Sequence, residues 1–209
     1  MILNFNSLYT KYNLKVTGIF HAGAHYGEEY SVYKQHGILD VVFFEPVRAS
    51  FSVLAKKMEN EDSVFLVNSA LGSSNTKGII NIDMENSGQS SSILEPDIHL
   101  LQYPGIHFTH KEEIDIKTLD SFIHEYPFVS TYNFLYMDVQ GFELEILKGS
   151  SKTLDNIQYV MTEVNNKSLY KNCALVDELD AYLAPYKFKR VETNWIGVTW
   201  GDAFYIKTI

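Results

Sequence analysis

Phe20-His21-Ala22-Gly23-Ala24-His25-Tyr26-Gly27-Glu28-Glu29, followed by Val41-Val42-Phe43-Phe44-Glu45-Pro46, decides how this chain folds. An apolar run ends in a glycine turn, a helix begins, and a second apolar run ends in an acid. That order builds the first crossover of a parallel sheet, with a nucleotide-shaped pocket beside it. A glycine lets the backbone approach a ligand closely, because no side chain intervenes. A carboxylate closing the next strand can accept hydrogen bonds from both hydroxyls of a ribose. Glu45 is therefore expected on the ribose of an adenosine-containing ligand; the plain alternative is a solvated strand end.

Outward from that stretch, residues 16–21 and 40–45 read as buried strands and 28–36 as a helix capped by Gly37. Residues 48–58 carry Phe51, Leu54, Ala55 and Met58 on one helical face, and 63–67 read as a third strand. The middle is less regular. Residues 77–84 alternate as an antiparallel strand would, 110–116 read as another strand, and 119–124 as a short helix. Pro96 and Pro104 exclude one long helix over 94–107. Regularity returns with a strand over 134–137 ending at Asp138, a helix over 142–148, a strand through 160–162 ending at Glu163, and a helix over 176–183. Strands over 188–193 and 203–207 close the chain as a hairpin joined through residues 194–202.

The chain has 209 residues, 45% of them apolar, which suits one domain with a full core. A single domain over 1–209 is expected, with 1–15 as an N-terminal extension and 84–116 as an irregular insertion or lid. The formal charge is -9, from 26 acids against 17 bases, with no basic run. Such a surface argues against nucleic acid and anionic membranes as partners. No stretch approaches the ~18 apolar residues that cross a bilayer. The N-terminal residues lack the pattern of a secretory signal. One cysteine, Cys173, excludes an internal disulfide and suits a reducing compartment, so the expected location is cytoplasmic.

A dinucleotide-binding turn needs Gly-x-Gly-x-x-Gly, because its backbone sits against a pyrophosphate. Here the close pair is missing, and Gly23 and Gly27 are four positions apart. That spacing suits a smaller nucleoside ligand. S-adenosylmethionine is one, with a ribose for Glu45 and an amino-acid end for the glycine turn.

Several segments in order then resemble the FkbM family of S-adenosylmethionine-dependent methyltransferases: residues 21–27, Phe44-Glu45-Pro46, residues 68–72, Ser90-Ser91-Ser92, Thr118-Leu119-Asp120, and above all residues 137–149. The resemblance implies an α/β fold of the class I methyltransferase (Rossmann-like) type. That is a seven-stranded, mostly parallel sheet with a terminal antiparallel hairpin and helices on both faces. Two residues depart from the family pattern. His21 stands where the family usually has Asp, and Gln140 where it usually has Glu.

The resemblance implies cofactor contacts at His21, Gly23, Ala24, Glu28, Glu45, Pro46, Ser69, Ala70, Ser91, Asp138 and Val139. Glu28 serves equally as an acid favouring a helix start. Asp138 and Glu163 end neighbouring strands and are the candidate catalytic acids, Asp138 having helix capping as its alternative. Gln140, Asn165, Trp200 and Asp202 are the candidate acceptor contacts, Trp200 by stacking or as core. Asp138, Glu163 and Asn165 together could hold a divalent cation through oxygen, but no metal is the favoured reading. The expected activity is methyl transfer to a hydroxyl of a sugar, glycan or secondary metabolite. The alternatives are a non-catalytic cofactor-binding scaffold and an NAD or nucleotide-sugar enzyme.

Overall fold

The computed structural model describes residues 2–208; Met1 and Ile209, the ends of the expected domain, lie outside the described residues. Strand β1 (Ile19–Ala22), β2 (Val41–Phe44) and β7 (Phe134–Met137) are buried at every position. Strands covered on both faces belong in the middle of a parallel sheet. Each pairs parallel with its neighbour, Ile19 opposite both Val41 and Phe134.

β3 (Val64–Val67) and β8 (Tyr159–Asn165) extend the parallel array. β9 (Phe188–Ile196) and β10 (Trp200–Lys207) complete it, giving the order β3-β2-β1-β7-β8-β10-β9. β10 runs antiparallel to both β8 and β9. The expected class I methyltransferase sheet with its terminal hairpin is therefore observed. The hairpin differs in extent. Trp200 pairs with Ile196, so the turn is only three residues long and Asp202 lies inside a strand opposite Glu163 and Asn194. Polar residues 194 and 202 masked this pairing, because strand ladders are made by backbone groups whatever the side chains.

Side chains alternate across the sheet and split the core in two. Phe20, Ala22, Val42 and Phe44 pack against α5 (Leu119–Glu125), α6 (Glu143–Lys148) and α7 (Val176–Leu183) through Leu119, Phe122, Ile146, Leu147 and Leu179. Ile19, Val41 and Phe43 pack against α1 (Phe5–Tyr12), α2 (Tyr30–Gln35) and α3 (Arg48–Lys57) through Phe5, Leu8, Tyr30, Tyr33 and Leu54. Each such fully buried side chain is worth roughly 1.5–3 kcal/mol. The N-terminal extension is thus a core helix. Asn4 caps it by accepting the Ser7 N–H, and Phe5 meets the Tyr33 ring edge-on at 5.1 Å.

The irregular middle holds a second sheet; the strands expected over 77–84 and 110–116 are two of its members, while their separation from the main sheet was not readable locally. β4 (Ala70–Leu71), β5 (Thr76–Ile82) and β6 (His110–Lys117) form it in the order β4-β6-β5, with β5 antiparallel to β6 as the alternation implies. Between them the chain makes only the four-residue α4 (His99–Gln102), flanked by the two prolines.

Candidate active site

A cavity of about 660 Å³ opens at the C-terminal ends of β1, β2, β7 and β8. Ligands in open α/β sheets bind there, and the size suits a small-molecule site. Of the residues singled out from the sequence, His21, Gly23, Ala24, Glu28, Glu45, Pro46, Ala70, Ser91, Asp138, Val139, Gln140, Glu163 and Trp200 line it.

Three others stand apart from that wall. Ser69 is buried with its hydroxyl unpartnered. Asn165 is fully buried at the last position of β8, its side-chain amide without a protein partner. Asp202 accepts hydrogen bonds from the backbone N–H groups of Ile2 and Leu3, at 2.8 Å for Leu3. It fastens the N-terminal arm rather than facing the cavity. Trp200 and Asp202 are two apart on β10 and share a face of the sheet, but Asp202 lies deeper, opposite Glu163, where the N-terminal backbone takes its Oδ2.

The glycine turn has a sharper cause than ligand approach alone. Gly23 has φ +77°, and a Cβ there would stand 1.9 Å from the carbonyl oxygen of Asp138. The turn after β1 and the end of β7 are therefore packed backbone on backbone. This fixes the two strand ends that carry His21 and Asp138.

Glu45 ends β2. Its carboxyl accepts the backbone N–H of His25 and of Val47, each at 2.8 Å. Burial pushes it up to about 7, against the pull of those two amides. Each oxygen keeps a further lone pair for ribose hydroxyls. At the other end of the turn, burial holds His21 down to about 3, so its ring is neutral. Its Nδ1 and the Tyr33 hydroxyl share a hydrogen bond of 3.1 Å. His21 therefore brings no charge to the cavity.

His25 was not singled out from the sequence, yet it ties the pocket together. Nδ1 lies 2.8 Å from Glu28 Oε1, and Nε2 lies 2.8 Å from the carbonyl oxygen of Ser87. Burial raises the Glu28 carboxyl, but the His25 ring and the Tyr26 amide bring it below its ordinary range. Through Ser87, His25 reaches the 86–92 loop, several of whose residues line the cavity. Asp83 shapes that loop by accepting the N–H of Asn86 at 2.7 Å and of Ser90 at 2.6 Å. Glu29, Tyr136, His99 and Tyr103 complete the wall beyond sequence expectation. Only their folded neighbours disclose them, apart from Glu29 and His25, which sit within the turn itself.

At the β7 and β8 ends, the Gln140 amide nitrogen donates to Asp138 Oδ1 at 2.9 Å and Glu163 Oε2 at 2.7 Å. Burial, with Asp138 and Glu143 nearby, pushes the Glu163 carboxyl well above the usual range. Glu143 accepts the N–H of Val139 and Gly141, holding the loop after β7, and burial raises it to about 7. Among the described residues, no group of three or more His, Cys, Asp or Glu could hold a metal ion.

Five carboxyl groups line the cavity, those of Glu28, Glu29, Glu45, Asp138 and Glu163; among the described residues no Lys or Arg does. Burial raises the carboxyls of Glu29, Glu45 and Glu163, but Glu28 is lowered and no lysine or arginine offsets the acids, so the wall disfavours a pyrophosphate. The donor set therefore fits S-adenosylmethionine, with its sulfonium and ammonium, better than a dinucleotide.

Sheet order, hairpin and cavity together define the Rossmann-like methyltransferase fold. Residues 21–190 match the family model described as "Methyltransferase FkbM domain", and the chain belongs to that family. It is similar to the "2-O-methyltransferase NoeI" of Sinorhizobium fredii, 29% identical over 105 residues, covering 48% of this chain and 43% of that protein. It is also similar to "Methyltransferase 1" of Beauveria bassiana, 26% identical over 135 residues, covering 59% and 54%. The matches thus span about half the length of these curated relatives. Among solved structures, the magnesium protoporphyrin IX methyltransferase of Synechocystis PCC 6803 with bound SAM superposes with TM-score 0.53 at 11% identity, covering 97% of this chain and 76% of that one. A putative tRNA (m1A22) methyltransferase of Streptococcus pneumoniae does so with TM-score 0.51 at 14% identity, covering 99% and 71%. At such identities the likeness is one of fold.

Proposed function

We propose that this chain is an S-adenosylmethionine-dependent O-methyltransferase acting on a hydroxyl of a sugar, glycan or secondary metabolite. The observation that carries the reading is the buried Glu45 carboxyl at the end of β2, opening onto an acidic cavity at the strand ends. When bound, the cofactor supplies a methyl group made electrophilic by a sulfonium. Glu45 receives the ribose hydroxyls. The turn at Gly23 and Ala24 receives the amino-acid end, and Glu28, lowered below its ordinary range, supplies the negative charge that neutral His21 lacks. Ala70, Pro46, Val139 and Ser91 wall the site. Holding reactants in line is worth up to roughly 7–11 kcal/mol. An alcohol is a weak nucleophile, so Asp138 or Glu163 serves as the base that takes its proton. Gln140 and Trp200 stand on the acceptor side. Acceptance by oxygen draws support from the relative described as a 2-O-methyltransferase.

Titration calorimetry tests the reading. Wild-type protein is expected to bind S-adenosylmethionine and not NAD. Glu45→Ala removes charge-assisted hydrogen bonds worth about 1.5–3 kcal/mol, so affinity drops about 10- to 100-fold. Asp138→Asn should keep cofactor binding and lose methyl transfer. Failure of wild-type protein to bind the cofactor would sink the reading.

A further inference from the structure

Asp138 and Glu163 end adjacent parallel strands, and the register of β7 on β8 brings their carboxyl groups together. Two carboxyl groups held this close do not both ionise freely, and Glu163 is pushed towards its protonated form, so a donor between them holds the pair. Between these two lies the Gln140 carboxamide. Its nitrogen has two hydrogens, and Asp138 Oδ1 at 2.9 Å and Glu163 Oε2 at 2.7 Å use both. The opposite orientation would set the amide oxygen against two carboxyl acceptors, so the neighbours decide which way the group points.

The far side of Gln140 is held as well. Tyr170 is fully buried, and its hydroxyl lies 2.9 Å from Gln140 Oε1 and 2.8 Å from the Ser90 carbonyl oxygen. The backbone sits in the left-handed region at φ +55°, and the Gln140 carbonyl accepts the Ser92 hydroxyl at 2.7 Å. A non-glycine residue in this region is costly and persists only where its surroundings hold it, as the bonds around Gln140 do. One consequence is visible on Glu163. Its Oε2 is taken by Gln140, while Oε1 is buried without any hydrogen-bond partner, on a residue that lines the cavity and is only 3% exposed. A buried oxygen left unpaired is costly and calls for a donor.

We propose that Gln140 is a positioning residue, an uncharged bridge that holds Asp138 and Glu163 by one oxygen each and leaves Glu163 Oε1 to receive the acceptor's hydroxyl. The bridge supplies two donors without adding charge. A cation there would offset the negative wall, and a third acid would add to its repulsion. The acceptor in this statement rests on the O-methyltransferase reading; the geometry of the bridge does not.

The test has two arms. In the first, the protein without added cofactor is titrated with Mn²⁺ and followed by electron paramagnetic resonance. Gln140→Glu places a third carboxylate where the bridge stood, giving the oxygen ligands a divalent cation needs. It is expected to bind Mn²⁺ at least tenfold more tightly than wild type, and adding Glu163→Gln should abolish the gain. Equal binding by Gln140→Glu and wild type would mean the two acids do not converge on position 140, and the proposal falls. In the second arm, Gln140→Met keeps side-chain length and removes the donors. With circular dichroism and S-adenosylmethionine affinity unchanged, kcat on a panel of methyl glycosides should fall at least tenfold while KM for the cofactor holds. A wild-type kcat in Gln140→Met overturns the positioning role. If wild-type protein binds the cofactor but methylates no glycoside, the sugar reading fails, and the Mn²⁺ arm still decides the bridge.

Discussion

Glu45 is the residue whose charge state most directly governs ligand binding. Burial raises its carboxyl to about 7, so near neutral pH it carries a proton part of the time. Ribose hydroxyls need an acceptor, and protonation turns one oxygen into a donor. Affinity for S-adenosylmethionine is therefore expected to weaken as pH falls through about 7, with a proton released on binding. Calorimetry in buffers of different ionisation enthalpy measures that proton directly. Glu45→Gln should bind more weakly and flatten the pH dependence; an unchanged slope would assign the proton to another group. His21 shows the contrary shift. Its position before the glycine was readable as a departure from the family pattern, but its neutrality comes from complete burial beside Tyr33 and Tyr136. No stretch of neighbouring sequence encodes that packing.

At the scale of elements, the 86–92 loop is the piece whose position matters most to the cavity. Asp83 shapes it from one end, and His25 tethers it through Ser87. Both ring nitrogens of His25 lie within hydrogen-bond reach of acceptors, Glu28 and the Ser87 carbonyl oxygen. Removing the ring is expected to loosen the loop without disturbing the backbone N–H that His25 gives Glu45. In His25→Ala, limited proteolysis within 84–92 should quicken several-fold and the cofactor's dissociation rate should rise. His25→Asn tolerates the left-handed backbone at φ +47° and separates lost tethering from backbone strain. Equal cleavage rates in wild type and both variants would remove the tether. The loop's polar, small residues were legible in sequence. Its anchor was not, because Ser87 and His25 are 62 residues apart.

Across the whole molecule, buried acids set the pH response of the fold. Glu45 and Glu143 are raised to about 7 and Asp202 to about 6, each chiefly by burial. A carboxyl raised on folding contributes stability below its unfolded value, and that contribution is lost as pH rises through the folded one. His21, lowered to about 3, acts oppositely, since the unfolded chain takes up its proton below about 6.5. Stability should thus fall from pH 6.5 to pH 8. Between those values Glu45 and Glu143 each lose about 0.6 of a pK unit's worth, roughly 0.8 kcal/mol, or about 2–3 °C of thermal midpoint. Differential scanning calorimetry reads this. Glu143→Gln keeps an acceptor for Val139 and Gly141 and should shrink the drop. A midpoint that climbs between those pH values would contradict the assignment.

The sequence by itself determined the alternation of strands and helices, the parallel core, the closing hairpin and the acids at the strand ends. Those follow from runs and periodicities among near neighbours, such as Val41 to Phe44 ending at Glu45. Only the tertiary structure decided which of the chosen polar residues share the cavity. Asp202 holds an N-terminal arm about 200 residues away, and Asn165 and Ser69 are buried outside the cavity lining. It also decided that the first helix belongs to the core, that a second sheet crosses the irregular middle, and that Gln140 spans two acids. Hydrogen bonds and packing join residues far apart in the chain, so their partners become definite only when the backbone closes around them.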